Sequence, residues 1–116
     1  MIKIRNMKKI ITAFFIMAGS YLLQAQVGVN TQTPKATFDV VAKKTDGTTA
    51  EGVIAPRLTG DQIIAAEAHY GADQTGAIVY ATAPVTTPTL ATTNITNAGY
   101  YYFDGNVWQA MTAASA

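Results

Sequence analysis

Short stretches of this chain alternate between apolar and polar side chains, which is the pattern of half-buried β-strands. Residues 36–42 predict one such strand, with Phe38 and Val40 on one face and Asp39 on the other. Residues 26–35 alternate only briefly before a proline breaks them, which is typical of a tether or an edge strand. We therefore predict that the folded domain begins near residue 36.

Two apolar runs predict two further strands. Residues 52–55, Gly-Val-Ile-Ala, form a short run that Pro56 ends, because proline has no N–H to donate to a central ladder. Residues 77–80, Ala-Ile-Val-Tyr, are apolar throughout and follow a loop. A run of this kind indicates a central strand or a strand that is covered on both faces.

One segment carries the start signals of a helix. With Thr59 as the N-cap, Gln62 falls at the third helical position, so each side chain can satisfy a backbone N–H in a capping box. Leu58 and Ile63 then occupy the two positions of a hydrophobic staple. The sequence predicts a helix over about residues 60–70, which needs a sheet to lie on because so short a helix is marginal alone.

The aromatic segment near the C-terminus predicts a β-hairpin. Asp104 and Gly105 form a dipeptide that favours a two-residue turn, and this turn would place Tyr101 opposite Trp108. A turn centred one residue later would instead place Phe103 opposite Trp108. The sequence leaves both registers open.

These elements predict a mainly β fold, a small antiparallel or mixed sheet with one short α-helix. The domain would cover residues 36–112 and would bring the strand at 52–55 and the aromatic hairpin together against the helix. A loop rich in threonine and proline, residues 82–97, is expected to be mobile and to lie at the surface. Residues 113–116 would form a short tail.

Residues 1–25 have the three parts of a secretory signal peptide. A basic start precedes an apolar run over residues 10–23, and a small residue then stands before a polar break. Because the run is shorter than the roughly 20 residues that a bilayer span needs, we expect a helix outside the fold that is removed after Ala25. The chain would then be exported to the periplasm, the cell surface or the surroundings of a Gram-negative bacterium, with no stable membrane span.

Export changes the charge of the chain. The full sequence has eight basic and seven acidic residues, but four of the basic residues lie in the signal peptide. The remaining chain therefore has a net charge of 4 − 7 = −3. A mildly acidic chain with no basic stripe does not favour nucleic acid as a partner.

The sequence contains no cysteine, so the exported domain must be held together by its core, by a metal or by self-association. His69 is the only histidine, and the acidic residues do not have the spacing of a calcium loop. We therefore expect neither a metal nor a cofactor, and self-association stays open as a source of stability.

No arrangement of side chains predicts catalysis. His69, Ser115 and an aspartate could be assembled into a hydrolase triad, but Ser115 lies in an alanine-rich tail without the spacing of a nucleophile elbow. Arg57 could hold an anionic ligand, or it could pair with Asp61 or with loop carbonyls. We therefore expect that the protein is not an enzyme.

The aromatic hairpin provides the candidate interaction surface. A run of tyrosines puts aromatic rings on both faces of one strand, so one face can pack under the helix while the other needs a partner. That partner could be a second protomer or a glycan, because aromatic rings on a rigid strand suit sugar stacking. The residues chosen for this surface are Tyr100, Tyr102, Trp108 and Arg57.

Five segments together resemble a known group of proteins. The pattern GxxxPRLT, GxxVY and YYYFDGxxW, with residues 26–31 and 36–40 before it, occurs in the same order in many secreted bacterial surface proteins, most of them without an assigned activity. Similar segments begin longer proteins that resemble tail fibres or adhesins. The resemblance implies a surface location and a β-rich architecture, and it assigns no role to any residue.

We therefore predict an exported structural or interaction module that acts at or outside the cell surface without catalysis. It could be fibre-like and self-associating, with a protein partner that is either a second copy or another surface component. The alternative is a small carbohydrate-binding module that uses the aromatic hairpin, which would be monomeric with its aromatic residues in an open groove.

Overall fold

The computed structural model describes residues 25–112. The chain divides between Gly52 and Val53 into an N-terminal unit and a C-terminal unit. Within residues 25–112 both units contain β-sheet, and the C-terminal unit also contains one short α-helix, so the mainly β fold class is confirmed. The predicted signal peptide, apart from Ala25, and the predicted tail at 113–116 lie outside the described residues.

The N-terminal unit contains two short strands, β1 (Val27–Val29) and β2 (Phe38–Val40). They pair in parallel and form a two-stranded sheet that we call the ribbon. Val27 lies opposite Phe38, and Val29 lies opposite Val40. Asn30 begins the connection between the strands with a φ of 61°, a left-handed conformation that asparagine tolerates.

The ribbon gives β2 a partner in the segment that was predicted as a tether or an edge strand. We expected β2 to join the helix and the hairpin in one domain over residues 36–112, with residues 26–35 as a tether or an edge strand. In the structure β2 pairs with β1, a strand within this segment. Pairing with a strand close in sequence costs less loop-closure entropy than pairing with the distant hairpin.

The C-terminal unit contains four strands, β3 (Arg57–Leu58), β4 (Ile78–Ala81), β5 (Gly99–Phe103) and β6 (Trp108–Ala110). Their order in the sheet is β3-β4-β5-β6. β3 and β4 are parallel, and the other neighbours are antiparallel, so the sheet is mixed. β4 lies between β3 and β5, which confirms the central strand predicted from the apolar run at 77–80.

The strand predicted at residues 52–55 is wrong in position. Sheet pairing begins at the Pro56 carbonyl, which accepts a hydrogen bond from the Tyr80 N–H at 2.9 Å. The Leu58 carbonyl accepts from the Thr82 N–H at 2.8 Å. Proline lacks a donor but keeps its acceptor, so it can start this edge of the sheet instead of ending a strand.

Helix α1 (Gly60–Ala65) begins as the sequence predicts. The Gln62 N–H donates to the Thr59 hydroxyl at 3.1 Å, and the Thr59 N–H donates to the Gln62 side-chain oxygen at 2.9 Å, which completes the capping box. Ile63 is buried, and Leu58 packs against the same core. The α-helix is shorter than the predicted range of 60–70.

Two 3₁₀ helices follow α1, at Glu67–His69 and Ala72–Gln74. The Ala66 N–H donates to the carbonyls of both Gln62 and Ile63, each at 3.2 Å, so the last turn of α1 tightens before the first of them. Residues 60–70 are therefore helical in two pieces rather than in one.

The loop at residues 82–97 differs from the expected mobile surface loop. It forms a layer over the sheet in which Thr92 and Ile95 are fully buried. The Val85 N–H donates to the Ile95 carbonyl at 3.1 Å, and the Trp108 N–H donates to the Ala91 carbonyl at 2.9 Å. In this layer threonine hydroxyls form hydrogen bonds with groups of the same segment. A polar segment can therefore cover a core without leaving its buried polar groups unpaired.

The core of the C-terminal unit lies between one face of the sheet and the layer formed by α1 and the loop at 82–97. Leu58, Tyr70, Ala77 and Val85 pack at its edge. Its buried apolar residues are Ile63, Val79, Ala81, Ile95, Tyr101, Phe103 and Trp108.

The hairpin takes the second of the two registers left open by the sequence. Phe103 lies opposite Trp108, so the turn centres on Gly105 and the residue after it. Gly105 has a φ of 102°, which favours glycine because it has no Cβ. The Asp104 carboxylate closes the turn. It accepts hydrogen bonds from the backbone N–H groups of Asn106, at 2.9 Å, and Val107, at 2.7 Å.

Acid should weaken this turn. The Gln109 side-chain amide and the two backbone N–H groups hold the pKa of Asp104 below its ordinary value of 3.8. A lowered pKa means that the turn contributes its full stability above that ordinary value and loses it as the pH falls through the folded-state pKa. Thermal unfolding between neutral pH and strong acid should therefore show a smaller loss of midpoint in Asp104→Asn than in the wild type. An equal loss in both proteins would contradict this role.

Candidate self-association face

One face of the C-terminal sheet carries aromatic and aliphatic side chains that are partly exposed. Strand alternation directs neighbouring residues to opposite faces, so the residues between the core positions point the other way. The register aligns Arg57 with Tyr80 and Tyr80 with Tyr100 across three strands. We call this surface the aromatic face, and its sheet residues are Arg57, Ile78, Tyr80, Tyr100, Tyr102 and Gln109.

The tyrosines of the aromatic face are positioned by one another. The rings of Tyr80 and Tyr100 lie 4.9 Å apart at 67°, an edge-to-face arrangement that aromatic pairs prefer. These two rings, with Arg57 and Ile54, line an open depression of about 280 Å³. A ring held on a strand by a neighbouring ring loses little side-chain entropy when a partner covers it.

The aromatic face is partly exposed to solvent. Tyr100 and Tyr102 are 37% and 39% exposed, and Ile78 is also exposed. An exposed cluster of large apolar side chains on a small protein is a recurrent sign of a protein contact site. Tyrosine suits such a site because its ring packs while its hydroxyl stays hydrogen-bonded.

The structure brings together three of the four residues predicted for the interaction surface. Tyr100, Tyr102 and Arg57 lie on the aromatic face, whereas Trp108 lies in the core and is 1% exposed. The ring of Trp108 lies 4.9 Å from that of Tyr70 and 5.3 Å from that of Phe103. Both registers left open by the sequence pair Trp108 with Tyr101 or Phe103, and these two residues face the core, so Trp108 lies on the core face in either register.

Three residues of the aromatic face, Ile78, Tyr80 and Gln109, were not predicted from the sequence, and neither was Ile54 at the edge of the depression. Ile78 and Tyr80 are two residues apart in a run that is apolar at every position, so the alternation was hidden. Their spacing would have revealed them, because residues i and i+2 share a face once a strand is central to a sheet. Ile54 was assigned to a core strand and is instead exposed beside the depression.

Arg57 is the charged residue of the aromatic face. Asp61, one of the partners that the sequence offers to it, accepts two hydrogen bonds from Thr86, at 2.9 Å from the N–H and 2.7 Å from the hydroxyl. These bonds lower the pKa of Asp61 below its ordinary value. Asp61 therefore fastens α1 to the loop at 82–97.

The described residues also bear on metal and membrane sites. Within residues 25–112, no three His, Cys, Asp or Glu side chains lie close enough together to hold a metal ion. No helix in that range has the length and apolarity to cross a bilayer. Ser115, the nucleophile of the rejected triad, lies outside the range.

A family match adds to this geometry. The family described as "Phage tail like trimerisation region" matches residues 28–116, more than three quarters of the chain. The chain belongs to this family. Membership of the phage tail-like trimerisation regions confirms the predicted likeness to tail fibres, and it supports a fibre-like, self-associating structural module. Comparisons with curated proteins and with solved structures find no significant match.

The carbohydrate-binding alternative gains no support. It relied on the aromatic hairpin and on Trp108 in particular, and the Trp108 ring lies in the core. The description of the family names trimerisation and no ligand.

Proposed function

We propose that this chain is an exported, non-enzymatic structural subunit that assembles as a homotrimer, with the aromatic face covered by a second copy of the chain. The observation that carries the proposal is an exposed aromatic face on a member of a trimerisation family. In a ring of three, each protomer contacts both neighbours, so every copy needs apolar surface that a second copy can cover.

The composition of the aromatic face suits contact between identical chains. It carries a single charged side chain, Arg57, on a chain whose exported part has more acidic than basic residues. Covering this face therefore buries no acidic group of its own. Tyrosine and arginine are also enriched among the residues that dominate binding energy at protein interfaces.

Export is proposed on the N-terminal segment of residues 1–25, which has the three parts of a cleavable signal. The full chain, expressed with this segment in a Gram-negative host, should be recovered with an intact mass that begins at Gln26. Recovery in the cytoplasm with Met1 in place would contradict export without affecting assembly.

Sedimentation of the same preparation tests assembly. The wild type should sediment as a trimer, and a Tyr100→Ser/Tyr102→Ser variant should dissociate at protein concentrations where the wild type does not. Truncating one central aromatic residue of an interface commonly costs about 2 kcal/mol, which is about a 30-fold weakening. Both rings are exposed in the protomer, so circular dichroism should show an unchanged fold.

Leu90→Ser is the matched control. Leu90 is 92% exposed in the loop at 82–97, so its replacement removes exposed apolar surface away from the aromatic face. This variant should remain a trimer. A wild type that stays monomeric at high concentration would overturn the proposed function, and a trimer unaffected by the two tyrosine substitutions would overturn the choice of face.

A further inference from the structure

We propose that the ribbon of the N-terminal unit is a second interface, at which the ribbons of three copies pack their apolar faces together and form a shared core. This inference rests on the proposed trimer. It assigns a partner to a surface that lies in a different unit from the aromatic face, and it predicts that the N-terminal unit is completed only by assembly.

The ribbon is apolar on one face and polar on the other. Directly paired residues share a face, so the register places four large apolar side chains on one side, and these are Val27, Val29, Phe38 and Val40. All four are exposed. The opposite face carries Gly28 and Asp39, and the Asp39 carboxylate accepts a hydrogen bond from the Lys35 N–H at 2.9 Å. The polar face thus has a local hydrogen-bond partner, while the four apolar side chains stay exposed.

The described part of the N-terminal unit, residues 25–52, contains no buried residue. An isolated two-stranded sheet is at best marginally stable in water, and stability needs more strands or a packed layer. Each strand of the ribbon has three residues, and the Val27 N–H and the Val41 N–H hold the strands in register at 2.7 and 3.0 Å from their acceptors. Such short strands therefore need apolar contact from outside the ribbon.

Two further copies of the ribbon are the cover that fits best. Near a threefold axis each residue meets its own copies, so a charge there would repel itself, whereas an uncharged face of valine and phenylalanine packs with its equivalents. The family match begins at residue 28 and so includes β2 and most of β1. The ribbon therefore lies within the trimerisation region itself.

The small area of the aromatic face also favours a second interface. Four strands about 4.8 Å apart and about four residues long cover only a few hundred Å² of sheet. A stable interface buries about 800 Å² on each partner. A trimer held by the aromatic face alone would be small, and the apolar face of the ribbon supplies additional surface of the same uncharged kind.

Cysteine cross-linking of the full chain tests this packing. The sequence contains no cysteine, so a single introduced cysteine can form a disulfide only with another copy. The variants are Val27→Cys, Val29→Cys, Phe38→Cys and Val40→Cys. A disulfide requires Cα atoms within about 7 Å of each other, so the variants whose residue lies nearest the axis should yield covalent dimers on mild oxidation. Thr37→Cys and Leu90→Cys are the controls, and neither should cross-link.

Hydrogen exchange measures whether assembly orders the ribbon. The amides of Val27 and Val41 should exchange at least about 100-fold more slowly in the wild-type trimer than in a dissociated Tyr100→Ser/Tyr102→Ser variant, because an uncovered ribbon opens at almost no free-energy cost. Phe38→Asp should remove this protection in the trimer, and Thr37→Asp, which adds the same charge one residue away, should keep it.

Three results would overturn the inference. A trimer in which none of the four ribbon cysteines cross-links above the controls would remove the shared core and leave the proposed function standing. Ribbon amides that stay protected in a monomer would show that the chain covers its own ribbon. A wild type that never assembles would remove both the trimer and this interface.

Discussion

The Trp108→Ala variant should lose about 3 to 5 kcal/mol of unfolding free energy, the usual cost of removing a buried aromatic side chain. Trp108 is 1% exposed, and its ring contacts Tyr70 and Phe103. Its backbone also holds the loop at 82–97, because its N–H donates to Ala91 and its carbonyl accepts from Asn94, both at 2.9 Å. Small proteins are stable by about 5 to 15 kcal/mol, so the loss is a large share of the total.

Urea denaturation followed by circular dichroism measures this effect. Trp108 is the only tryptophan, so its fluorescence cannot be compared between variants. Protein concentration must be held constant, since assembly adds to apparent stability. Trp108→Phe should lose less and keeps the measurement possible if the alanine variant does not fold.

Tyr100→Ala is the matched aromatic control. Its ring lies on the aromatic face, so its removal should weaken assembly more than it lowers the stability of the protomer. The reverse pattern, in which Trp108→Ala folds normally and Tyr100→Ala unfolds, would mean that the two faces of the sheet have been exchanged.

The parts of this fold that depend on neighbouring residues in the sequence could be predicted from it. The capping box of Thr59 and Gln62 and the two hairpin registers follow from groups that are three to five residues apart, so no distant contact can change which alternatives exist. Both registers put Trp108 on the same face of β5, so burial of that face does not decide between them. The turn distinguishes the observed register, because Gly105 has a φ of 102° and the Asp104 carboxylate accepts hydrogen bonds from the Asn106 and Val107 N–H groups.

Long-range pairing accounts for what the sequence did not predict. The apolar residues Val53 and Ile54 look like a core strand, but parallel pairing with β4 starts only at the Pro56 carbonyl, and both side chains are exposed. The loop at 82–97 is polar in composition, yet Ile95 is fully buried. Its burial depends on Trp108, which is more than ten residues away. Neither the exposure of Val53 and Ile54 nor the burial of Ile95 can be predicted from the few residues on either side.

The candidate site was predictable to the same extent. The aromatic run identified Tyr100 and Tyr102, because any strand with rings on both faces leaves one set without a core. Alternation also separates them from Trp108, because both registers place Trp108 opposite Tyr101 or Phe103, on the other face of β5. The ribbon could not be predicted for another reason. Each of its two strands can be recognised in the sequence, but only their pairing places four apolar residues on one face.

Gly60→Ala should also destabilise the protein, by about 1 to 3 kcal/mol, through overpacking. A Cβ on Gly60 would lie 2.5 Å from the Val85 nitrogen and 2.7 Å from the Pro84 carbonyl carbon. Both atoms are backbone and cannot rotate away. The Gly60 N–H also donates to the Ala83 carbonyl at 2.8 Å, so the start of α1 is pressed directly against the loop at 82–97.

Two smaller effects oppose this loss and fix its sign. Alanine favours helix over glycine by up to about 1 kcal/mol in a helix interior, and it restricts the unfolded chain by about 0.4 to 1 kcal/mol. Gly60 is the first residue of α1, where the helical preference is weaker than in the interior. The clash therefore outweighs both gains, and the net change should be a loss of stability.

Gly71→Ala separates the clash from these general effects. Its nearest contact would be the Gln74 side-chain oxygen at 3.8 Å, an ordinary distance, and its φ of −125° is open to alanine. Urea denaturation should show Gly71→Ala equal to the wild type or slightly more stable, while Gly60→Ala has a lower midpoint. Equal midpoints for the two variants would mean that α1 and the loop do not approach as closely as described, and the layer that covers Ile63 and Ile95 would need a different arrangement.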